Sequence, residues 1–538
     1  MNAHGLSLFA FANRRKAVVR ASMLIAAAVI SAFILPPASA QLTGPVRIES
    51  GLVEGIPALT PGVMAFEGIP FAAPPIGELR WKAPQPVEPW PVLRNADRFG
   101  PACPQDYLGP EHIAFYGDYE FKNEDCLYLN LWTPAKTPNE KLPVLVWIYG
   151  GGLRIGSGSE RLHHGDNLAA KGIILVTFNY RLGILGFMAH PELTKESPTH
   201  SSGNYGLMDQ VAAIKWVHDN IAAFGGDPGR ITIFGESAGG GSVSDMQATP
   251  LNRGMLHGAI AESGGSFSPF VPAGMPPLAE GEQNGVKFVQ SMGAASIAEM
   301  RAIPAEQIVR AAANSRYGMV GAVVDGYVLP QNVRTIFSEG RQNDIPVLVG
   351  SNANEGTTLR MGPPAIDTPE LKALFDKFYT PDKHVEIGGG FMLWCMHTWA
   401  GLETKTGTHK AYEYYFSHTP PFPEGVKFEQ NVPHLGAFHS SEIIYVFDNL
   451  SIRKGRNWPW SPWDWKLADI MSSYWVNFAA TGDPNGVGLP VWPAYSEDNT
   501  QVMNFDDTVK VIPLPRTDEL KLWDTMNHFD FNAISSTH

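Results

Sequence analysis

The chain has 538 residues, 44% hydrophobic and 17% charged, with a formal net charge of −13. Such a composition suits a large globular core, and its acidic surface repels nucleic acid and anionic lipid, so neither is expected as a partner. Length alone would allow three or four domains, but no Ser- or Pro-rich linker and no internal repeat divides the sequence, so one elaborated α/β domain over residues 41–538 is expected.

At the N-terminus Arg14, Arg15, Lys16 and Arg20 precede the apolar run Ala21 to Leu35, and Ala38-Ser39-Ala40 then fits a cleavage site. This pattern predicts a secretory signal peptide over residues 1–40, cut before Gln41. The fifteen-residue apolar run is short for a membrane span; an uncleaved anchor is the lesser reading, and no membrane attachment is expected once the segment is removed. The paired arginines raise a twin-arginine route, which Lys16-Ala17-Val18-Val19 fits only loosely, so the export route stays open. The first forty residues carry four basic side chains and no Asp or Glu, so their removal takes the formal charge from −13 to −17. A periplasmic or secreted protein is expected, as a monomer or weak homo-oligomer.

Further along, Val144-Leu145-Val146-Trp147-Ile148 is a run of buried-strand type that breaks into Tyr149-Gly150-Gly151-Gly152, which frees backbone N–H groups. His163-His164 with Asp166 suggests metal ligands, but no other ligand cluster accompanies them and a solvated loop is the expectation; no metal or organic cofactor is implied. The β-branched run Ile231-Thr232-Ile233 leads into Phe234-Gly235-Glu236-Ser237-Ala238-Gly239-Gly240-Gly241, which reads as a strand ending in a nucleophile elbow. A serine lifted off the sheet on a sharp strand-to-helix turn sits in a strained backbone, and Gly235 and Gly239 remove side chains that would clash there. The helix after the turn aims its N-terminal amides at the charge that develops in acyl transfer. With such an elbow, the oxyanion donors are the amide after the nucleophile, Ala238, and amides of the glycine loop, Gly151 and Gly152.

The chain resembles the type-B carboxylesterase and cholinesterase family of the α/β-hydrolase fold. The resemblance runs from Phe66-Glu67-Gly68-Ile69-Pro70 through Leu79-Arg80-Trp81, then Glu124-Asp125-Cys126-Leu127-Tyr128-Leu129-Asn130, Asn179-Tyr180-Arg181-Leu182-Gly183, Gly203-Asn204-Tyr205-Gly206-Leu207-Met208-Asp209-Gln210 and Phe224-Gly225-Gly226-Asp227-Pro228, to Trp475-Val476-Asn477-Phe478 and Thr481-Gly482-Asp483-Pro484-Asn485. It covers about residues 45 to 500. It implies a large, mostly parallel central sheet flanked by helices, with loops and cap segments over the site.

The remaining site residues follow from their surroundings in that resemblance. Ile345-Pro346-Val347-Leu348-Val349-Gly350 reads as a strand, and Ser351-Asn352-Ala353-Asn354-Glu355-Gly356 is similar to the loop carrying the family's acid, which makes Glu355 the candidate. Gly436-Ala437-Phe438-His439-Ser440-Ser441-Glu442 is similar to the histidine loop and makes His439 the candidate base. The order Ser237, Glu355, His439 is the order of this fold. Exported carboxylic-ester hydrolysis through an acyl-enzyme is implied, on a small-molecule ester. Carbamate or activated-amide cleavage by the same machinery, and a non-catalytic binding protein on the same fold, are the alternatives.

Glu236 is either a second carboxylate near His439, as in the cholinesterase branch, or a buried acid bonded to backbone amides. Of the three cysteines, the resemblance implies a Cys103–Cys126 bridge and leaves Cys395 as a buried thiol. Substrate-lining segments fall at about 104–122, 265–320 and 360–435, where the resemblance is weakest. Three positions there and nearby are candidates for substrate contact. Arg154 either attracts a carboxylate-bearing substrate or pairs with a local acid. Phe270 either narrows the acyl site or is core. Tyr116 lies where cholinesterases hold a quaternary ammonium with tryptophan, and the weaker ring argues against a choline ester. Glu67 stands where the family often has Arg or Lys.

Overall fold

The structure, a computed structural model, describes residues 42–105, 121–138, 140–268, 275–366, 368–424, 434–456, 458–498 and 500–536. The signal-peptide segment, Tyr116 and Phe270 lie outside the described residues.

Among the described residues the main sheet has eleven strands: β1 (Ile56–Pro57), β2 (Met64–Pro70), β3 (Tyr128–Thr133), β4 (Leu142–Ile148), β5 (Ile174–Phe178), β6 (Gly226–Glu236), β7 (Gly258–Glu262), β8 (Val347–Asn352), β9 (Ala411–Phe416), β10 (Gln501–Phe505) and β11 (Lys510–Pro513). Their order is β11-β10-β9-β8-β7-β6-β4-β5-β3-β2-β1. The seven strands from β10 to β5 run parallel, and antiparallel strands close both edges. Parallel strands covered on both faces read as unbroken apolar runs. That is the pattern of β4 and β5, whose residues from Val144 to Ile148 and Ile174 to Phe178 are buried. A three-stranded sheet of Val46–Ile48, Gly51–Glu54 and Arg94–Asn95 stands beside it.

The flanking helices have different surfaces for different reasons. Helix α1 (Tyr205–Asn220) packs on β6, and α2 (Ala238–Ala248) on β6 and β7. Helix α3 (Ile387–Thr406) contacts β8 and β9 and is apolar around most of its circumference, as a helix buried on nearly every side must be; Trp394 and Trp399 are its largest anchors. Helix α4 (Pro462–Thr481) starts on a capping box, Ser461 and Asp464 satisfying each other's end of the first turn, and stops at Gly482 in the left-handed region (φ 73°). No described helix is long and apolar enough to cross a membrane.

Two of the sequence motifs turn out to hold the frame together. Arg80 grips Glu124 through two bonds of 2.7 and 2.6 Å, and Arg181 grips Asp209 through 2.8 and 2.7 Å. Both guanidiniums are buried, so each fork-to-fork pair ties distant segments and removing one partner would strand a charge. Cys103 and Cys126 form the disulfide, 23 residues apart, and Cys395 is a buried free thiol.

His163, His164 and Asp166 do not form a solvated loop. His163 is buried against the rings of Trp147 and Phe447, His164 packs on Phe99, and Asp166 accepts the Leu59 amide at 2.7 Å. Aromatic neighbours make the imidazoles part of the packing, which composition of the local segment did not reveal.

Candidate active site

Because β4, β6 and β8 are parallel, the loops leaving their C-terminal ends converge on one edge of the sheet. Ser237 follows β6 directly, with φ 58° and ψ −123°, outside the regions comfortable for a side chain with a Cβ. Close packing holds it there. A Cβ on Gly239 would lie 2.0 Å from the Ile148 carbonyl, and one on Gly235 would lie 2.5 Å from the same oxygen. Gly264 is under the same constraint: its Cβ would fall 1.8 Å from the Ser237 carbonyl. The Ser237 amide donates to the Glu262 carbonyl at 2.9 Å, and its own carbonyl accepts from Gly241. The turn is thus bonded on both sides.

Glu355 follows β8 and is fully buried; one carboxylate oxygen accepts the Asn352 amide at 2.7 Å. The loop bearing His439 is distant in sequence and is docked onto the acid loop by Asn354 and Asn352. The Asn354 amide donates to the Ala437 carbonyl, its side-chain oxygen accepts the Ala437 amide, and Asn352 Nδ2 donates to the Phe438 carbonyl at 2.8 Å. Gly436 makes this approach possible: its φ is 64° and a Cβ there would meet the Asn354 side-chain oxygen at 2.2 Å. His439 Nδ1 consequently stands 2.6 Å from Glu355 Oε2, and its Nε2 stands 2.8 Å from Ser237 Oγ.

Glu236 is brought into the same cluster. Its Oε1 lies 3.2 Å from His439 Nε2 and accepts the Ser440 hydroxyl at 2.5 Å. Of the two readings the sequence left open for it, the side chain therefore lies against the imidazole and a hydroxyl. Burial pushes the Glu236 carboxyl up to about 7, against the opposing pull of His439 and Ser440. Burial by itself would lower the His439 imidazole, but the charges of Glu236 and Glu355 outweigh it and raise the ring to about 9.

The glycine loop after β4 supplies donors. Gly151 and Gly152 have φ of 86° and 65°, and a Cβ on Gly151 would run into the Ile155 carbonyl. Among the described residues, the N–H groups of Gly151, Gly152 and Ala238 donate to no protein acceptor. Arg154, just beyond, lines a cleft with Gln105, Leu182, Ile184 and Val309, and among the described residues no carboxylate pairs with its guanidinium. The local ion pair that competed for this side chain is absent from that set. Ser440, Gly264 and Asn354 were not singled out from sequence; only the strand register and the docking of two loops reveal them.

Residues 43–387 and 379–523 match the model of the carboxylesterase family. The chain is similar to a fumonisin B1 esterase of Sphingopyxis macrogoltabida, 35% identical over 502 residues and covering 88% of this chain and 89% of that one. It is also 33% identical to a cocaine esterase of Homo sapiens, across 81% of this chain and 82% of the relative. A solved PNB esterase structure matches with a TM-score of 0.77 and 31% identity over 90% of this chain and 99% of its own. With the family model spanning nearly all the described residues, the chain belongs to the carboxylesterase family and is a carboxylic ester hydrolase.

Proposed function

We propose that Ser237 is the nucleophile, His439 the general base and acid, and Glu355 the acid that orients the imidazole. The carrying observation is the unbroken run of hydrogen-bonding contacts from Ser237 Oγ through both ring nitrogens of His439 to Glu355. As Ser237 Oγ bonds to the ester carbonyl carbon, its proton passes to His439 Nε2, and Glu355 stabilises the imidazolium. The amides of Gly151, Gly152 and Ala238 take the oxyanion, and each such donor is typically worth about 10²–10³ in rate. Nε2 then protonates the departing alkoxide, and water repeats the sequence on the acyl-enzyme.

A burst of p-nitrophenol from the acetate ester tests this reading. With deacylation the slower step, the wild type should release about one equivalent before the steady state, the mark of an accumulating acyl-enzyme. Ser237→Ala should show no burst, while Glu355→Gln and His439→Ala each lose at least ~10³-fold in kcat. A nearly active His439→Ala enzyme would overturn the assignment.

For substrate class, Arg154, unpaired among the described residues and close in sequence to the glycine loop, favours an ester that carries a carboxylate, since a guanidinium fork matches that group bidentately. The fumonisin B1 and cocaine esterases named above differ in their named substrates at similar identity, so relatedness alone does not choose the ester. The kcat/KM ratio of succinate-type half-esters to neutral esters should fall selectively in Arg154→Ala; an unchanged ratio would leave Arg154 a structural residue. The segment 1–40 is read as a cleavable signal peptide that delivers residues 41–538 to an oxidising compartment, which suits the Cys103–Cys126 bridge.

A further inference from the structure

Ser440, directly after His439, holds a backbone angle that a side chain resists. The Ser441 amide donates to the Phe438 carbonyl at 3.0 Å, closing a tight turn with His439 and Ser440 at its corners. Ser440 has φ 71°, at the corner where a turn with positive φ calls for glycine. Gly436, in the same loop, takes a similar φ of 64° without a side chain. Strain of this kind persists where the surroundings over-determine it, and what serine adds to glycine is a Cβ and a hydroxyl. The Ser440 side chain is buried, and its hydroxyl donates to Glu236 Oε1 at 2.5 Å, the same oxygen that lies 3.2 Å from His439 Nε2. The other carboxylate oxygen, Oε2, faces Gly150, where a Cβ would approach it to 3.0 Å. The Glu236 carboxylate thus spans from the glycine loop to the histidine turn, with Ser440 Oγ bonded to the oxygen that faces the ring.

A hydroxyl that donates to a carboxylate favours its ionised form. By occupying Oε1 it also leaves that oxygen a poorer rival to Ser237 Oγ for the proton on Nε2, which stands 2.8 Å from Ser237 Oγ. We propose that Ser440 is a positioning residue: its hydroxyl, presented by the strained turn, fixes Glu236 Oε1 as an ionised neighbour of His439 Nε2 and so sets how tightly the imidazole holds its proton. This inference rests on the reading of His439 as the base. Glu262 at the end of β7, Glu355 after β8, Tyr414 on β9 and Glu442 on the histidine loop are buried and also face Glu236, and none of them is a cation. Glu236 and Glu355 are the acids that bear on the imidazole. Without the hydroxyl, Glu236 protonates more readily, its charge supports the imidazolium less, and the ring gives up its proton at lower pH.

The test is the pH profile of kcat/KM on a neutral p-nitrophenyl ester for wild type, Ser440→Ala, Ser440→Gly, Glu236→Gln and the double variant Glu236→Gln/Ser440→Ala, with His439→Ala alongside. Alanine keeps the Cβ and its strain, glycine removes both, and neither has the hydroxyl. In both single Ser440 variants the acid limb should move to lower pH by about half a unit to one unit, and the plateau should fall about three- to tenfold. The Tm of Ser440→Gly should lie above that of Ser440→Ala, and a Tm no higher would overturn the strain that marks the position. In the Glu236→Gln background, Ser440→Ala should move the acid limb by less than about 0.2 unit, because the two side chains act through one bond. An acid limb in Ser440→Ala that stays in place, full additivity with Glu236→Gln, or a shift seen in Ser440→Gly alone would overturn the proposal, the last by assigning the effect to the backbone. A nearly active His439→Ala enzyme would overturn the base assignment and this inference with it, whereas an inactive His439→Ala beside an unmoved Ser440→Ala profile overturns the role of Ser440 alone.

Discussion

Glu236→Gln removes a carboxylate whose Oε1 stands 3.2 Å from His439 Nε2 while keeping an oxygen for the Ser440 hydroxyl. At that separation two unit charges interact by ~5 kcal/mol at an effective dielectric of about 20. This is an upper bound here, because the Glu236 carboxyl itself titrates at about 7 and carries only part of its charge near neutrality. A nearby opposite charge commonly shifts a group by about 1–3 pH units. We therefore expect the His439 pKa, held at about 9, to fall by roughly 1–2 units, or ~1.4–2.7 kcal/mol. Since the imidazole must be neutral to accept the Ser237 proton, the acid limb of kcat/KM should move to lower pH by the same amount. The plateau should drop by about tenfold, because the imidazolium of the transition state loses a stabilising charge. The assay is the pH profile of kcat/KM on a neutral p-nitrophenyl ester. An acid limb that stays in place, or moves to higher pH, would refute this account of Glu236.

Replacing both Cys103 and Cys126 with serine opens a loop of 23 residues and should cost about 3 kcal/mol in the loop-entropy model, read as a lower urea midpoint; an unchanged midpoint would show that the bridge adds nothing to stability. Gly264→Ala forces a methyl to within 1.8 Å of the Ser237 carbonyl, so kcat should fall by at least about 10²-fold as the nucleophile is displaced, and full activity would show that the elbow yields without consequence. Stability should also depend on pH in an unusual direction. Glu236, Asp245 and Glu262 have folded values raised by burial from 3.8 or 4.5 to about 7, 7 and 8, so the folded state holds their protons more tightly and is destabilised as pH rises through that range. His439, raised from 6.5 to about 9, contributes stability that is present below about 6.5 and lost as pH rises through 9. The Tm should therefore decline between about pH 5 and pH 9, and a Tm that climbs over that interval would contradict the burial of these groups.

Much of the site was legible because its parts sit at strand ends. The run Ile231-Thr232-Ile233 and the glycines around Ser237 announce a strand and its turn locally, as Val144 to Ile148 with Gly150 to Gly152 does for the oxyanion loop. The parallel sheet then does the rest, bringing β4, β6 and β8 to a common edge. His439 has no such local signature: it hangs on Asn352 and Asn354, bonds between loops more than eighty residues apart, and resemblance alone picked it from sixteen histidines. Glu262 and Glu442 were invisible for a related reason, since nothing in a strand-end Glu or a loop Glu indicates complete burial until β7 is paired between β6 and β8. The burial of His163 and His164 was misread because aromatic partners from distant segments, Phe99 and Phe447, make the environment. Arg80–Glu124 and Arg181–Asp209 show why motif residues need not be chemical ones: they join segments whose register sets the frame.

Whether Ser237 becomes the acyl carrier can be read directly by intact-mass spectrometry and peptide mapping after a fluorophosphonate has reacted with the mature protein. A single adduct is expected on the peptide containing Ser237, and none in Ser237→Ala. A well-folded wild type that takes no adduct, or an adduct that maps to another residue, would contradict it.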